Sequence, residues 1–383
     1  MAIFFLVFLT VYGSANFYVY YRGLQAIESL PLWVKIVYTV IFWSAAAFYI
    51  MSRTFLDLDN IVFDIILWIG AIWFAVLLYS FIYVLSVDLV RLGFKIFSFT
   101  PPVLFQNITA TKLGLFLGAL GYLVLVVGYG VWNANNIQIR TINLTLPKKD
   151  SKLDSLNIAF FSDSHFSPIL GTKKVHDILR GIEEIKPDLI LTGGDIVDDK
   201  SKHLYRHKID QELKKLKAPM GVIAINGNHE YIVGIRSAMA FIKNSGMTLL
   251  RDEHIIIDSS LVIVGRDDKT ADRFAAGKRK PIEEVMKDVP RNLPVIMLDH
   301  QPYDLHLVEK AGVDLQLSGH THQGQMFPIN LIVSRIYELS WGYLQKGKTQ
   351  FYVSSGVGTW GPPVRTGSVS ELINLKITFK DEK

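Results

Sequence analysis

The chain has 383 residues, a formal net charge of +5 and no cysteine. The lack of cysteine excludes disulfide bonds, thiol nucleophiles and cysteine-ligated zinc, and the absence of a long basic run argues against a nucleic-acid partner. Residues 1–133 hold only 6 of the 40 lysines and arginines, and all ten histidines follow residue 160. We therefore expect an apolar N-terminal third joined to a more polar globular domain.

Four apolar stretches in residues 1–133 have the length of about 20 residues that is needed to cross a bilayer. They are Ala2–Tyr21, Leu32–Met51, Ile61–Ser86 and Leu113–Trp132. The first lacks a basic N-terminal region and is followed by further stretches, so we interpret it as a span and not as a cleaved signal peptide. The alternative, buried helices of a soluble protein, would need a larger polar shell. The sequence predicts a four-helix transmembrane region with the lipid bilayer as its partner.

The basic residues of the loops predict the orientation. Four spans place both chain ends on the same side of the membrane. Only Arg53 lies in the second loop, whereas five basic residues lie in the first and third: Arg22, Lys35, Arg91, Lys95 and Lys112. Because lysine and arginine favour the cytoplasmic side, we expect the C-terminal domain on the extracytoplasmic side. Four basic residues just after the last span argue for the opposite: Arg140, Lys148, Lys149 and Lys152.

Residues 134–152 form a linker with a leading strand, Asn136–Leu146, and residues 153–383 form one domain. Apolar strands there alternate with amphipathic helices, which is typical of layered α/β architecture with helices outside the sheets. The predicted strands are Asn157–Ser162, Asp188–Thr192, Gly221–Ile225, Ile255–Gly265, Val295–Leu298, Asp314–Leu317, Gln350–Ser354 and Leu372–Phe379. The predicted helices are Lys173–Ile185, Ile209–Leu216, Ile235–Ser245, Pro281–Asp288 and Tyr303–Ala311.

Side chains that can bind a metal follow five of these strands. The five groups are Asp163 with His165, Asp195 with Asp198, Asn228 with His229 and Glu230, Asp299 with His300, and His320 with His322. Because open α/β sheets place their sites at the carboxyl ends of strands, we expect these groups to meet. Oxygen and imidazole ligands without sulfur suit manganese, iron or zinc. One such group could be a polar strand end, but five in this order predict a metal centre.

In this order the groups resemble the signature of the calcineurin-like metallophosphoesterases, D-x-H, G-D-x-x-D, G-N-H-[ED], H and G-H-x-H, over about residues 155–380. The resemblance implies an α/β fold, a four-layer αββα sandwich, and a metal-dependent hydrolase of phosphate mono- or diesters. It implies two divalent ions as cofactors, with manganese favoured over iron or zinc. It assigns Asp163, His165 and His322 to one ion, Asn228, His300 and His320 to the other, and Asp195 to both.

The resemblance also implies roles for other side chains. A hydroxide bridging the two ions would attack phosphorus, and His229, which is not a ligand, would protonate the leaving oxygen. We expect Asp198, Glu230 and Asp299 to orient the ligands, with helix capping or solvent exposure as the alternative for each.

Two residues lie outside the metal-binding groups. Arg365 is predicted to bind the substrate phosphate because a guanidinium can contact two oxygens, and a surface arginine is the alternative. Gln323 adjoins the histidine pair at a position where the bacterial membrane-bound or exported branch of the family commonly has glycine.

The membrane stretches together with this domain look like that bacterial branch, in the inner membrane. We expect a phosphate-ester substrate from the membrane, such as a phospholipid or a lipid-linked sugar phosphate. The alternatives are a broad phosphodiesterase on soluble substrates and a pyrophosphatase acting on UDP-diacylglucosamine, which would need a cytoplasmic domain. A metal-binding sensor module is a further alternative, although the complete ligand set argues against it.

Overall fold

The computed structural model describes residues 2–54, 59–99, 101, 107–274 and 277–381. The chain divides into two compact units, Met1–Val131 and Trp132–Lys383. The first unit is helical, and the second is a mixed α/β structure that begins with the last turn of a helix.

The helices that form the first unit, with the last one continuing into the second, are α1 (Ala2–Ala26), α2 (Leu32–Thr54), α3 (Ile61–Ile96) and α4 (Ile108–Asn135). Among the described residues, α2, α3 and α4 are long and apolar enough to cross a membrane. The predicted count of four is therefore supported for three helices. The first predicted span is helical as part of α1, but α1 carries polar side chains such as Thr10 and Asn16 and is not one of the three. A fourth span stays a prediction.

Helix α3 is longer than the sequence pattern suggested. The predicted span ended at Ser86, whereas the helix continues to Ile96 and has 36 residues. At 1.5 Å per residue such a helix is about 54 Å long, well beyond the roughly 30 Å of a bilayer's hydrocarbon core. The extra turns contain Asp88, Arg91 and Lys95, so the helix extends into a more polar region without a helix-breaking residue to end it.

The described part of the second unit contains two six-stranded sheets. The first sheet has the order β1-β12-β2-β3-β4-β5, and its strands are β1 (Ile137–Pro147), β2 (Ser155–Phe161), β3 (Leu189–Thr192), β4 (Val222–Ile225), β5 (Thr248–Leu250) and β12 (Ser370–Lys380). The second has the order β10-β11-β9-β8-β7-β6, and its strands are β6 (Glu253–Ile257), β7 (Leu261–Gly265), β8 (Val295–Leu298), β9 (Leu315–Ser318), β10 (Gly342–Lys346) and β11 (Thr349–Val353).

Helices cover the outer faces of both sheets. The helices of this unit are α5 (Gly171–Ile185), α6 (Ser201–Arg206), α7 (Ile209–Leu213), α8 (Asn228–Val233), α9 (Ile235–Asn244), α10 (Ile282–Val285), α11 (Leu305–Lys310) and α12 (Ile329–Ile336), with short 3-10 turns at Lys269–Arg273 and His322–Gly324. Of these, α5, α6, α7 and α9 pack on the first sheet and α10 and α11 on the second, whereas α12 has no buried residue.

Alternation along the strands produces the layers. In β2, Phe160 lies in the apolar core between the two sheets, whereas its neighbour Phe161 packs against the helix layer that contains Val175 and Phe241. Successive strand residues point to opposite faces, so a strand that is apolar throughout is covered on both sides. The second sheet has its own outer core, with Val264 packed near Val308. The predicted four-layer αββα sandwich is confirmed.

Several boundaries and elements differ from the prediction. The single predicted strand Ile255–Gly265 is a hairpin, because Asp258 and Ser259 adopt positive φ and reverse the chain between β6 and β7. Strands β5 and β10 and helices α6, α8 and α12 were not predicted. These elements are three to eight residues long, which is too short for a hydrophobic period to be read.

Candidate metal centre

The predicted metal ligands follow the carboxyl ends of five strands. Strands β2, β3 and β4 are parallel neighbours, as are β8 and β9, so their carboxyl ends lie together within each sheet. Hydrogen bonds join the two sets: His300 Nδ1 lies 2.7 Å from the carbonyl oxygen of Gly193, and the His320 amide donates to Asp163 at 2.9 Å. The fold thereby brings all seven predicted ligands into one region.

One group of ligands contains Asp163, His165 and His322, all buried. His165 Nε2 lies 3.0 Å from His322 Nε2, which in turn lies 3.5 Å from Asp163 Oδ1. These donor atoms point at a common position that a single cation can occupy.

The second group contains Asp195, His300, His320 and Asn228. Asp195 Oδ2 lies 3.1 Å from His300 Nε2. Asn228 Oδ1 lies 3.2 Å from His300 Nε2 and 2.8 Å from His320 Nδ1. Because Asp195 Oδ2 is also 3.7 Å from His165 Nε2, this carboxylate lies between the two groups.

The backbone at these positions adopts an uncommon conformation. Positive φ occurs at Asp163 (53°), His165 (46°), Asp195 (49°), His320 (72°) and His322 (49°). Non-glycine residues rarely adopt this region, and such backbone strain is concentrated at functional sites. The fold holds these five residues in place at an energetic cost, which indicates a selected geometry.

Two glycines and one glutamine show how tightly the loops approach. A Cβ at Gly227 or Gly319 would collide with the carboxylates of Asp195 and Asp163, respectively. Gln323 also has positive φ, 49°, which explains why glycine suits this position and why the side chain here adds strain.

Burial and mutual charge perturb the acids and the imidazoles. Burial raises the pKa of Asp163. Burial also acts to raise the pKa of Asp195, but the charges of His300 and His229 outweigh it and hold that pKa well below its ordinary value. Burial lowers the pKa of His320 to about 4, with a further contribution from His300.

The residues present fit divalent ions. Two carboxylates, four imidazoles and an amide oxygen converge in a buried region. A cation bound there would accept their lone pairs and offset the cost of burying these polar groups. The set contains no sulfur and suits manganese, iron or zinc.

His229 lies beside the ligands and is held by two acids. Its Nδ1 is 2.6 Å from Asp198 Oδ1, its amide donates to Asp195 Oδ1 at 2.8 Å, and its ring stands nearly perpendicular to that of His165. Burial acts to lower the pKa of His229, but the charges of Asp195 and Asp198 raise it to about 9. The imidazole therefore carries a proton at neutral pH.

The Glu230 carboxylate positions backbone amides of the loops and not the side chains of the predicted ligands. Its carboxylate accepts from the amides of Ile196 (2.7 Å), Val197 (3.0 Å), Asp195 (3.1 Å) and Gly227 (2.6 Å). It thus joins the loop after β3 to the start of α8, where it accepts from the amide of Gly227, the residue directly before the helix. The expected orienting role and the helix-capping alternative describe the same contact.

Asp299 is buried and forms a two-pronged ion pair with Arg279, whose Nη1 lies 3.0 Å from Asp299 Oδ1. Because Asp299 immediately precedes His300, the ion pair fixes the backbone that carries this imidazole. A solvated carboxylate, the alternative expectation, does not fit.

Arg365 does not have the geometry of a phosphate clamp. Its side chain is 0% exposed. The guanidinium donates to Ser368 Oγ and to the carbonyl oxygens of Ser355, Gly356, Gly358 and Val369, and Nη2 lies 3.2 Å from His322 Nδ1. Both expectations, a phosphate contact and a surface arginine, are corrected: the donors are occupied by the loop that Arg365 itself belongs to, next to a predicted ligand.

Sequence reasoning missed three residues at the site. The Trp360 ring lies 6.1 Å from that of His229, and the Tyr337 ring lies 6.1 Å from that of His320. Arg279, the partner of Asp299, is the third. Trp360 belongs to a glycine-rich segment before Arg365, and that composition is a local signal of a tight loop. Arg279 pairs with Asp299 across 20 positions in the sequence, and no local pattern marks it.

The chain is similar in sequence to proteins of one family. The family model described as calcineurin-like phosphoesterase matches residues 156–324. An uncharacterized metallophosphoesterase of Aquifex aeolicus is 35% identical over 61% of this chain and 89% of its own length. A protein of Danio rerio named transmembrane protein with metallophosphoesterase domain is 27% identical over 64% of this chain and 59% of its own length. Among solved structures, a 5'-nucleotidase precursor from Thermus thermophilus has a TM-score of 0.37 at 13% identity, over 59% of this chain and 54% of that one.

Proposed function

Because the chain belongs to the calcineurin-like phosphoesterase family, and is thus a metal-dependent hydrolase of phosphate esters, we propose that its substrate is a phosphate ester carried by a membrane lipid. One observation carries the proposal: the described part of the chain holds both a set of metal-binding side chains and three helices able to cross a bilayer. An enzyme anchored in the bilayer meets lipid phosphates at a high effective concentration.

The ligands divide into two sets that share one carboxylate. Asp163, His165 and His322 hold one divalent ion, Asn228, His300 and His320 hold the other, and Asp195 contributes to both. The central position of Asp195 Oδ2, 3.1 Å from His300 Nε2 and 3.7 Å from His165 Nε2, supports this assignment. When bound, two divalent ions supply Lewis acidity toward the phosphoryl oxygens and a water of lowered pKa. Manganese is our first choice, with iron or zinc suited to the same donors.

His229 acts as the proton donor to the leaving oxygen. Its Nδ1 is engaged by Asp198 at 2.6 Å, so Nε2 is the nitrogen that can donate its proton outward. A pKa near 9 keeps the imidazole protonated at neutral pH, which is the state that a general acid needs. Asp198 holds the ring in the required orientation, and Glu230 and Asp299 hold the loops that carry the ligands.

We place the enzyme in the cytoplasmic membrane of a bacterium with the catalytic domain on the extracytoplasmic side, from the lysines and arginines of the predicted loops. Since the chain lacks cysteine, a Glu184→Cys variant offers a single exposed thiol on α5. A membrane-impermeant maleimide should label this thiol in intact spheroplasts. Labelling only after lysis would instead place the domain in the cytoplasm.

The substrate test uses the full-length protein in detergent, stripped with a chelator and reconstituted with manganese. The panel contains aryl phosphate mono- and diesters, phospholipids, lipid-linked sugar phosphates and UDP-diacylglucosamine, and Asp195→Asn is the control. We expect metal-dependent turnover that is fastest on a lipid phosphate and lost in the variant.

Other outcomes separate the alternatives. Fast turnover of soluble diesters without lipid hydrolysis would indicate a broad phosphodiesterase. Selective cleavage of UDP-diacylglucosamine would indicate the pyrophosphatase. Bound metal without turnover of any ester would contradict the proposed enzymatic activity and favour a metal-binding sensor module.

A further inference from the structure

Helix α12 exposes apolar side chains that its own domain does not cover. The helix contains no buried residue, and Leu331, Ile332 and Ile336 are 47, 58 and 62% exposed. Phe327, just before the helix, is 51% exposed. Single exposed apolar residues are common, but a contiguous group within ten positions marks an interaction surface.

This surface adjoins the metal centre. The helix follows the 3-10 turn that begins with the predicted ligand His322. Gln325, between them, donates to the carbonyl oxygens of Trp360 and Pro362, each at 3.0 Å. Trp360 is 56% exposed and its ring lies 6.1 Å from the His229 ring. The apolar rim, defined as Phe327, Leu331, Ile332, Ile336 and Trp360, therefore borders the position of the proposed proton donor.

The charged residues closest in sequence to α12 are basic or already neutralised, whereas the loop of Phe274 carries exposed Asp272 beside exposed Arg273. Arg335 is exposed within α12. The nearest acid in sequence, Glu338, pairs with Lys346 at 2.7 Å. On another loop, exposed Phe274 follows exposed Arg273, and the Phe274 ring lies 6.3 Å from that of Tyr231, two residues after His229. Apolar and aromatic side chains interleaved with cations are the composition of elements that lie in a membrane interface.

We infer that the apolar rim docks on the lipid bilayer and brings lipid phosphates to the metal centre, an inference that rests on the proposed lipid substrate. The domain is tethered to the helical region by a short connection, because only Asn136 separates the end of α4 from the start of β1. The basic residues complement anionic headgroups. A bilayer always adjoins a chain whose helices span it, whereas a protein partner or a second copy of the chain need not be present.

A direct test measures contact with lipid. A fluorophore is attached to Ile332→Cys in the full-length protein, which otherwise has no thiol, and the protein is placed in vesicles of anionic phospholipid that carry a quencher on their acyl chains. The matched control is Glu184→Cys on α5, which is also exposed. We expect strong quenching at position 332 and little at position 184. Equal quenching at the two positions would overturn the inference, as would intermolecular cross-linking through Ile332→Cys without quenching, which would identify a second copy as the occupant.

A second test measures function. Leu331→Gln combined with Ile332→Gln should leave hydrolysis of a soluble aryl phosphodiester unchanged and lower hydrolysis of phospholipid in vesicles by about tenfold, because less apolar area enters the interface. Ile256→Gln, at a 47% exposed position on β6, is the control and should change neither activity. An equal loss on both substrates, or no loss on vesicles, would contradict docking. If the wild type hydrolyses no lipid, the proposed function fails, and the quenching result still decides docking.

Discussion

Asp198 and His229 form a buried pair in which Asp198 Oδ1 lies 2.6 Å from His229 Nδ1. The acid fixes the ring so that its second nitrogen faces away from Asp198, and with Asp195 it raises the pKa of His229 to about 9. We propose that this pair serves to donate a proton to the leaving oxygen.

His229→Gln should lower kcat by about 10²- to 10³-fold, the usual contribution of a general acid. The loss should be larger for an alkyl ester than for a p-nitrophenyl ester, because p-nitrophenolate leaves without protonation. Bound metal, measured by elemental analysis, should stay at the wild-type level. A loss of metal, or an equal loss on both esters, would contradict the role given to His229.

Arg365→Met should destabilise the domain by about 3 kcal/mol or more, because it leaves buried carbonyl oxygens without a donor. Chemical denaturation in detergent measures the effect, and Arg335→Met, at an exposed position on α12, should change stability little. A variant that folds normally but has a raised KM would instead restore Arg365 as a substrate-binding residue.

Glu230→Gln should weaken both the fold and metal binding. The carboxylate accepts from four amides in the loop after β3 and at the start of α8, and a glutamine would turn an NH₂ group toward some of them. We expect a loss of about 2 kcal/mol and about 10- to 100-fold weaker metal binding, measured by denaturation and by metal titration. Glu183→Gln, exposed on α5, is the control. Unchanged affinity would show that the four hydrogen bonds do not position the ligands.

Lys174 should make stability depend on pH. Its Nζ donates to the Ala134 carbonyl oxygen at 2.8 Å, and burial, with a contribution from the charge of Arg365, lowers its pKa from 10.5 to about 7. Between these pH values the unfolded chain binds more protons than the folded one. The contribution of Lys174 to folding stability therefore rises with pH between these two values. Below pH 7 the cost of burying the charged lysine is fully present and reaches about 5 kcal/mol.

Lys174→Met removes the penalty together with one hydrogen bond worth about 1 kcal/mol. The variant should therefore gain stability relative to the wild type as the pH falls from 10 to 7. Unfolding at both pH values checks this, with the exposed neighbour Lys173→Met as control. If the stability difference between Lys174→Met and the wild type is the same at pH 7 and pH 10, the pKa of Lys174 is not lowered in the folded protein.

The sequence predicted those parts of the fold that depend on local pattern. Strand Val295–Leu298 matches β8 at both ends because four buried apolar residues are bounded by proline and aspartate. The metal-binding residues could be predicted to meet because they all follow strands, and parallel strands place their carboxyl ends together. Their left-handed backbone could not be read from residue types such as aspartate and histidine.

The remaining features depend on distant contacts or on exposure. Helix α12 was missed because its apolar residues face outward, so its pattern does not report a core. The burial of Arg365 was missed because arginine is almost never fully buried, and its partners are main-chain carbonyls that any sequence provides. The pairing of Asp299 with Arg279 joins residues 20 positions apart in the sequence and leaves no periodic signal.

We propose that Asp195 joins two divalent ions in one centre. Electron paramagnetic resonance of the full-length, manganese-reconstituted protein tests it most directly, together with elemental analysis of bound metal. We predict two manganese ions per chain with the spectrum of a magnetically coupled pair, and loss of the coupling in Asp195→Asn. A single ion per chain, or two uncoupled ions that the substitution leaves unchanged, would contradict the account.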